Sequence, residues 1–356
     1  MSLPGVEMPF LVRTTALVAL FPLAFAASAQ DSKDHDPLFS RNEVLEVKIE
    51  APFRMLETER PTDEYTTGKF RYTVEDGNEI EFDAGIRTRG NFRLREKVCP
   101  FPPLRMNFEK SQTRDTLFDK QDKLKVVTHC QNNSPRYEQA IITEYLAYRI
   151  LNLLTDISFR ARLMKITYVY TDVDHEREKY GILIEHKDRM AKRIDAEVMH
   201  VPQMSINDLR RDHLNLISVF EYLIANTDFP PIASMAGDDC CHNFSLFRVA
   251  GEAAYAVPYD FDLSGFVNAP HAVPNPRFRL RSVRQRLYRG RCANNEHLPA
   301  SFERFRAHRE EIEALLNEQS ELSAATRKNA LRFIEEFYDT ISRPKDIERK
   351  FIKKCI

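Results

Sequence analysis

The sequence has no tryptophan and only ten glycines in 356 residues. No segment repeats another, and together these observations argue against propellers and repeat solenoids. An excess of one charge is also missing, since 52 Lys and Arg face 53 Asp and Glu, for a net charge of −1. The basic residues are spread along the chain, whereas a nucleic-acid-binding protein carries a basic surplus, so no nucleic-acid partner is expected. Beyond the first 29 residues no apolar run is long enough to span ~30 Å of hydrocarbon, so the mature chain is expected to have no membrane span. Cysteines spaced as C-x-x-C are absent, which weighs against zinc at Asp239-Cys240-Cys241-His242.

The one long apolar run lies at the start. Arg13 supplies a positive n-region, Ala16–Phe25 an apolar stretch broken by Pro22, and Ala27-Ser28-Ala29 a small-x-small cleavage pattern. Residues 1–29 therefore read as a cleavable signal peptide, with the mature protein in a periplasm or outside the cell. In such a compartment six cysteines are expected to form disulfides. Cys99 with Cys130 makes a plausible local staple. Cys240 and Cys241, as neighbours, are expected not to bond each other, one of them reaching Cys292, with Cys355 paired or free.

Residues 30–42 are polar and read as a flexible segment. Strict alternation then marks strands at Leu45/Val47/Ile49, Ile80/Phe82/Ala84/Ile86 and Leu104/Met106/Phe108, with a further short strand at 123–127. Ser134-Pro135 opens a helix expected to run to Leu154. Strands at 161–170 and 180–185 follow. A helix over 212–226 and a hairpin over 244–249 and 253–258 come next. Amphipathic helices over 299–317 and 324–341 lie near the end, with a shorter one after Pro344. Strands thus dominate the first half and helices the second, which predicts an α+β chain with a sheet-rich unit over 43–188 and a mainly helical one over 189–356.

Three polar clusters stand at element ends: Asn226-Thr227-Asp228, Cys241-His242-Asn243 and Pro258-Tyr259-Asp260-Phe261-Asp262. Each alone is ordinary turn chemistry. Together, carboxylates and a carboxamide suit a hard cation such as Mg²⁺, which takes one or two carboxylates and completes its shell with water and phosphate oxygens. Because Ile80, Phe82, Ala84 and Ile86 bury one strand face, Arg87 and Arg89 project from the other. Two guanidiniums on one face suit phosphate, although a solvated face paired with Glu explains them too. The run Arg281–Arg291 carries five arginines and reads either as an anionic-substrate patch or as a solvated basic face.

These features resemble the spore-coat protein H (CotH) kinase-like family over about residues 80–270. Arg87-Thr88-Arg89-Gly90-Asn91 is similar to its R-x-R-G-N signature, and Tyr180–Glu185 to its strand before the interlobe hinge. The helix over 138–154, with Arg160 and the strand after it, also resembles that family, as do the three polar clusters. The resemblance implies a two-lobed, divergent protein-kinase-like fold with an antiparallel sheet lobe. It also implies an atypical kinase that uses ATP or another nucleoside triphosphate and Mg²⁺ to phosphorylate a hydroxyl acceptor, whether protein, glycan or small molecule.

Asp228 is then the carboxylate that orients the acceptor, with Asp238 its competitor because it stands five residues before Asn243, the D-x-x-x-x-N spacing of ordinary kinases. Asn243 and Asp260 are the expected Mg²⁺ ligands and Asp262 a further candidate. Arg87, Arg89, Lys125, Glu144 and Glu185 are the expected nucleotide-side residues. Lys125 and Glu144 are the best strand–helix pair, and Lys123 is the rival on the same strand face. Two other readings stand beside this one. The first is a pseudokinase-like binding or envelope-assembly module without catalysis, and the second a metal-dependent hydrolase using Asp238, Asp239, His242 and Asp260.

Overall fold

The computed structural model describes residues 1–2, 5, 36–74, 76–233 and 240–356. Most of the expected signal segment and Asp238 lie outside the described residues. Strand β1 (Leu45–Ala51) is followed by helix α1 (Phe53–Thr58), β2 (Thr66–Thr73), β3 (Glu79–Thr88) and β4 (Leu104–Phe108). Then come α2 (Lys110–Thr113), β5 (Lys123–Val127), the long α3 (Pro135–Leu154), β6 (Ala161–Tyr170) and β7 (His175–Ile184). The second half holds α4 (Lys187–Arg193), β8 (Glu197–Val198), α5 (Arg211–Ile224), β9 (Phe244–Arg248) and β10 (Tyr255–Pro258). Four helices close the chain: α6 (Leu298–Ala307), α7 (Arg309–Glu318), α8 (Ala324–Ser342) and α9 (Pro344–Lys350).

The first seven strands close into a barrel in the order β1-β2-β3-β4-β5-β7-β6. This corrects the two-lobed kinase-like fold expected from the resemblance, in which these strands were an antiparallel sheet lobe. The reason is β1. It lies antiparallel to β2 and also parallel to β6, from Leu45 opposite Met164 to Ala51 opposite Tyr170. Alternation identifies which face of β1 is buried, but it carries no information about a partner more than a hundred residues away in the chain. A second sheet, ordered β10-β9-β8, sits in the helical half.

Period-2 geometry sorts the barrel's side chains. Leu45, Val47, Ile49, Phe70, Phe82, Met106, Leu124, Val126, Ile166 and Leu183 point inward and form one buried core. Aromatic rings fill its centre, with Phe70 5.0 Å from Phe118 and Phe82 5.5 Å from Phe108. The intervening Val127, Leu163, Ile182 and Ile184 point outward into a second core shared with α3, α5 and the C-terminal helices. Helix α3 is buried from Ala140 to Tyr148 because it runs between the barrel wall and those helices. Within the segment expected to be flexible, Leu38 and Phe39 are buried against the barrel core.

All six cysteines are paired, as Cys99–Cys130, Cys240–Cys241 and Cys292–Cys355. The neighbours therefore bond each other, contrary to expectation, and Cys292 instead takes Cys355. Three disulfides fit an oxidising compartment outside the cytoplasm. Among the described residues no helix is long and apolar enough to cross a membrane.

Phe70 is fully buried among four other aromatic rings. Phe70→Ala is expected to cost about 3–5 kcal/mol in urea unfolding, the cost of an unfilled aromatic site.

Candidate functional site

The same alternation that fills the barrel sends cations out of it. Leu104, Met106 and Leu124, Val126 face inward, so Arg105 and Lys125 face outward, as Arg87 does on β3. Register then sets Arg87 opposite Arg105 and Arg105 opposite Lys125. Three like charges in direct cross-strand contact oppose sheet pairing, by roughly 0.2–1 kcal/mol for each adjacent pair. The Nε atoms of Arg87 and Arg105 are buried without a hydrogen-bond partner. Arg93 has the same orphaned Nε, although its Nη2 donates to the Thr128 carbonyl at 2.5 Å.

Arg89, Arg105 and Lys125 line a cleft of about 230 Å³ together with Lys187, Tyr259 and Asp260. The cleft also has an apolar side. Val127 and Ile184 come from the barrel, and Val198, Phe244, Leu246 and the Cys240–Cys241 disulfide from the region of the small sheet. Lys125 holds its ammonium 4.9 Å from the centre of the Tyr259 ring. Burial, helped by the charges of Arg89 and Arg105, lowers its pKa to about 7.

Across from these cations the hairpin of β9 and β10 presents its open end. Pro258 pairs with Phe244, and one step on the Tyr259 N–H donates to the Asn243 carbonyl at 2.9 Å. Asn243 and Asp260, on the two sides of this end, both adopt left-handed backbone (φ 57° and 66°). Asn and Asp tolerate that region best among residues with side chains, and such strain clusters at functional sites. The Asp260 N–H donates to the Tyr148 hydroxyl at 2.9 Å, which ties the loop to α3.

Helix α5 ends at Ala225, also left-handed, and delivers Asp228 to the same hairpin end. Asp228 Oδ1 meets His242 Nε2 at 3.2 Å, and its Oδ2 accepts from Asn243 Nδ2 at 3.0 Å. The hydrogen bond to Asp228 raises the pKa of His242 against the opposing effect of its partial burial. Asp228, Asn243 and Asp260 are thus gathered at one end of the hairpin, with Asp260 turned toward Arg89 and Lys125.

Three buried carboxyl groups influence one another here, with Asp260 in the cleft lining. Burial raises the pKa of Asp260 to about 6, with Asp262 adding to the shift. Burial also raises Glu144, on α3, well above the usual range, and the charges of Asp262 and Asp260 reinforce it. Asp262 goes the other way. Burial opposes its charge, but the hydrogen bond from His271 at 2.9 Å and the nearby Arg93 outweigh it. Glu144 keeps a buried Oε1 without a partner. Lys125 and Glu144 both look toward Asp260, so each belongs to the surroundings of that carboxylate.

The other expected residues have clear places. Glu185 lines the cleft, yet its carboxylate is occupied. It accepts from Arg193 Nε and Nη2, both at 2.9 Å, and from the Arg160 N–H at 3.0 Å. Arg87 stacks on Tyr65 at 5.0 Å, next to the cleft lining. Lys123 is exposed. In the arginine-rich run, Arg284, Arg286 and Arg289 turn inward and donate to the Gly265, Leu223 and Thr227 carbonyls, so they brace the helical half.

Arg105, Arg93 and Tyr148 were missed in the sequence. Arg105 had a readable signal, because the alternation of Leu104, Met106 and Phe108 exposes it just as the β3 pattern exposes Arg87. Arg93 and Tyr148 had none, since a loop arginine and a helix tyrosine acquire meaning only through contacts made across the fold.

Among the described residues no three His, Cys, Asp or Glu side chains are grouped closely enough to hold a metal ion by themselves. Mg²⁺ asks for less, one or two carboxylates with phosphate and water. Asp260 and the Asn243 side-chain oxygen are hard donors that fit that demand, and Asp262 already holds His271.

Lys125 generates a pH prediction. Its folded pKa of about 7 lies below its ordinary 10.5, so between these values the folded state binds fewer protons than the unfolded chain. Stability contributed by this group therefore rises with pH across that window. Lys125→Met is expected to raise the urea midpoint at pH 6–7, with the gain shrinking steadily and vanishing near pH 10.5. A gain independent of pH would show that the ammonium is not under strain.

No protein-family model and no curated protein matches this chain.

Proposed function

We propose that the cleft binds a nucleoside triphosphate with Mg²⁺ and transfers its terminal phosphoryl group to a hydroxyl acceptor. The observation that carries this reading is the pairing of Arg105 with Lys125 in the cleft lining, with Arg87 continuing the row beside it. Like charges in register, with buried Nε atoms lacking partners, are costly unless an anion lies over them. Arg89 and Lys125 extend the positive field to the carboxylate of Asp260. The apolar side of the cleft suits a flat, weakly polar ring attached to that anion. The proposal rests on this cleft and on the resemblance to the spore-coat protein H kinase-like family in its motifs.

In this reading Arg89, Arg105 and Lys125 hold phosphate oxygens, and Asn243 and Asp260 would hold the ion. Bound there, Mg²⁺ supplies neutralisation of phosphate charge. Asp228 receives the acceptor hydroxyl. The bond from the acceptor oxygen to phosphorus forms as the bond to the nucleoside diphosphate breaks, and the hydroxyl proton passes to Asp228. Export by a signal peptide cleaved near Ala29, to a periplasm or the cell exterior, belongs to the same proposal.

A second reading has its own support. Both carboxylate oxygens of Asp228 already have a partner, one in His242 and one in Asn243. That favours a pseudokinase-like module that binds nucleotide without turnover. The hydrolase reading draws two of its residues from Asp238 and Asp239, which lie outside the described residues.

Calorimetric titration with ATP and MgCl₂, alongside transfer of labelled γ-phosphate, tests the proposal. Lys125→Met is expected to weaken binding about 10–100-fold, the loss of one charge-assisted contact. Asp260→Ala is expected to abolish Mg²⁺-dependent binding and transfer. Binding without transfer selects the second reading, and no binding with or without Mg²⁺ overturns both.

A further inference from the structure

The Cys99–Cys130 and Cys292–Cys355 disulfides join residues 31 and 63 positions apart. Each removes loop entropy from the unfolded chain. Cys240–Cys241 joins immediate neighbours, so it has no loop to close and adds nothing of that kind. Its place in the fold suggests a local task. Both residues line the cleft on its apolar side, beside Phe244 and Leu246. Both are held by the backbone. The Cys240 N–H donates to the Val201 carbonyl at 2.7 Å, and Cys241 exchanges hydrogen bonds with Phe244 at 3.2 and 3.1 Å. The next two residues are His242 and Asn243, whose side chains hold both oxygens of Asp228.

One small ring thus forms part of the wall against which an apolar ligand group rests. It also fixes the chain as it enters the polar cluster. Disulfide sulfur is polarisable and packs well on aromatic surfaces. Two separate thiols no longer tie the two side chains to each other.

We propose that the Cys240–Cys241 disulfide is a redox-controlled wall of the cleft, closed for ligand binding when oxidised and loosened when reduced. The inference builds on the nucleotide reading, since it names what regulates that site. Reduction consumes one dithiol reductant. A thiolate of the reductant attacks one cysteine sulfur to give a mixed disulfide, and its second thiol closes the reductant's own disulfide. Two electrons and two protons remain on the protein as two thiols. Because linkage is reciprocal, bound nucleotide protects the bond from the reductant.

The test uses the mature protein in two states, with the redox state of each pair established by differential alkylation and mass spectrometry. A Cys292→Ser/Cys355→Ser background removes the partly exposed C-terminal pair from the readout. Expected results are about tenfold weaker binding of Mg-ATP once Cys240 and Cys241 are reduced, and a reduction rate slowed severalfold by saturating Mg-ATP. Cys240→Ala/Cys241→Ala is expected to bind as weakly as the reduced protein. If that variant does not fold, the reduction experiment on the background protein decides alone. Equal affinity in both states, with no protection by nucleotide, overturns the redox inference and leaves the nucleotide reading intact. An oxidised protein that binds no nucleotide overturns both.

Discussion

The parallel pairing of β1 with β6 is the constraint on which the rest of the structure depends. It converts a run of hairpin-like strands into a closed wall, and a closed wall has only an inside and an outside. Every strand must then alternate between them. On β5 this places Leu124 and Val126 in the barrel, Val127 against the helical half, and Lys125 at the cleft. The stability of the barrel core and the charge of the cleft are two results of one rule.

That rule also explains why the cleft carries electrostatic tension. Cations on the barrel wall are set opposite one another by register. Carboxylates from α3 and from the end of the hairpin approach from the other side. Burial makes one of these cations and two of these carboxyl groups reluctant to ionise. Lys125 is pulled down toward neutrality, and Asp260 and Glu144 are pushed up. Left-handed backbone at Asn243 and Asp260 shows that the hairpin end is held in place by its surroundings.

Much of this was legible in the sequence, and the limits were physical. Period-2 patterns located β3, β4 and β5, and with them the outward direction of Arg87. Ser134-Pro135 marked the start of α3. The polar clusters around Asp228, Asn243 and Asp260 were found as turn-like residues between apolar segments, and they do gather at one hairpin end. Closure of the barrel was not legible, because strand alternation has no memory of a distant partner. The bond between Cys240 and Cys241 was not legible either, since adjacency in sequence argued against it. Glu144 was read as the partner of Lys125, but its surroundings in the fold are Asp260, Asp262 and Arg93.

Barrel closure has a further consequence, for self-association. A closed ring of strands offers no unpaired ladder to a second chain, so strand addition is confined to the small sheet. One border of that sheet is β8, only two residues long. At the other, the chain around residues 208–210 already bonds to Ala254, and β10 ends in Pro258, which has no N–H to give. Among the described residues there is thus almost no template for cross-chain β-pairing, and what little remains lies beside the cleft.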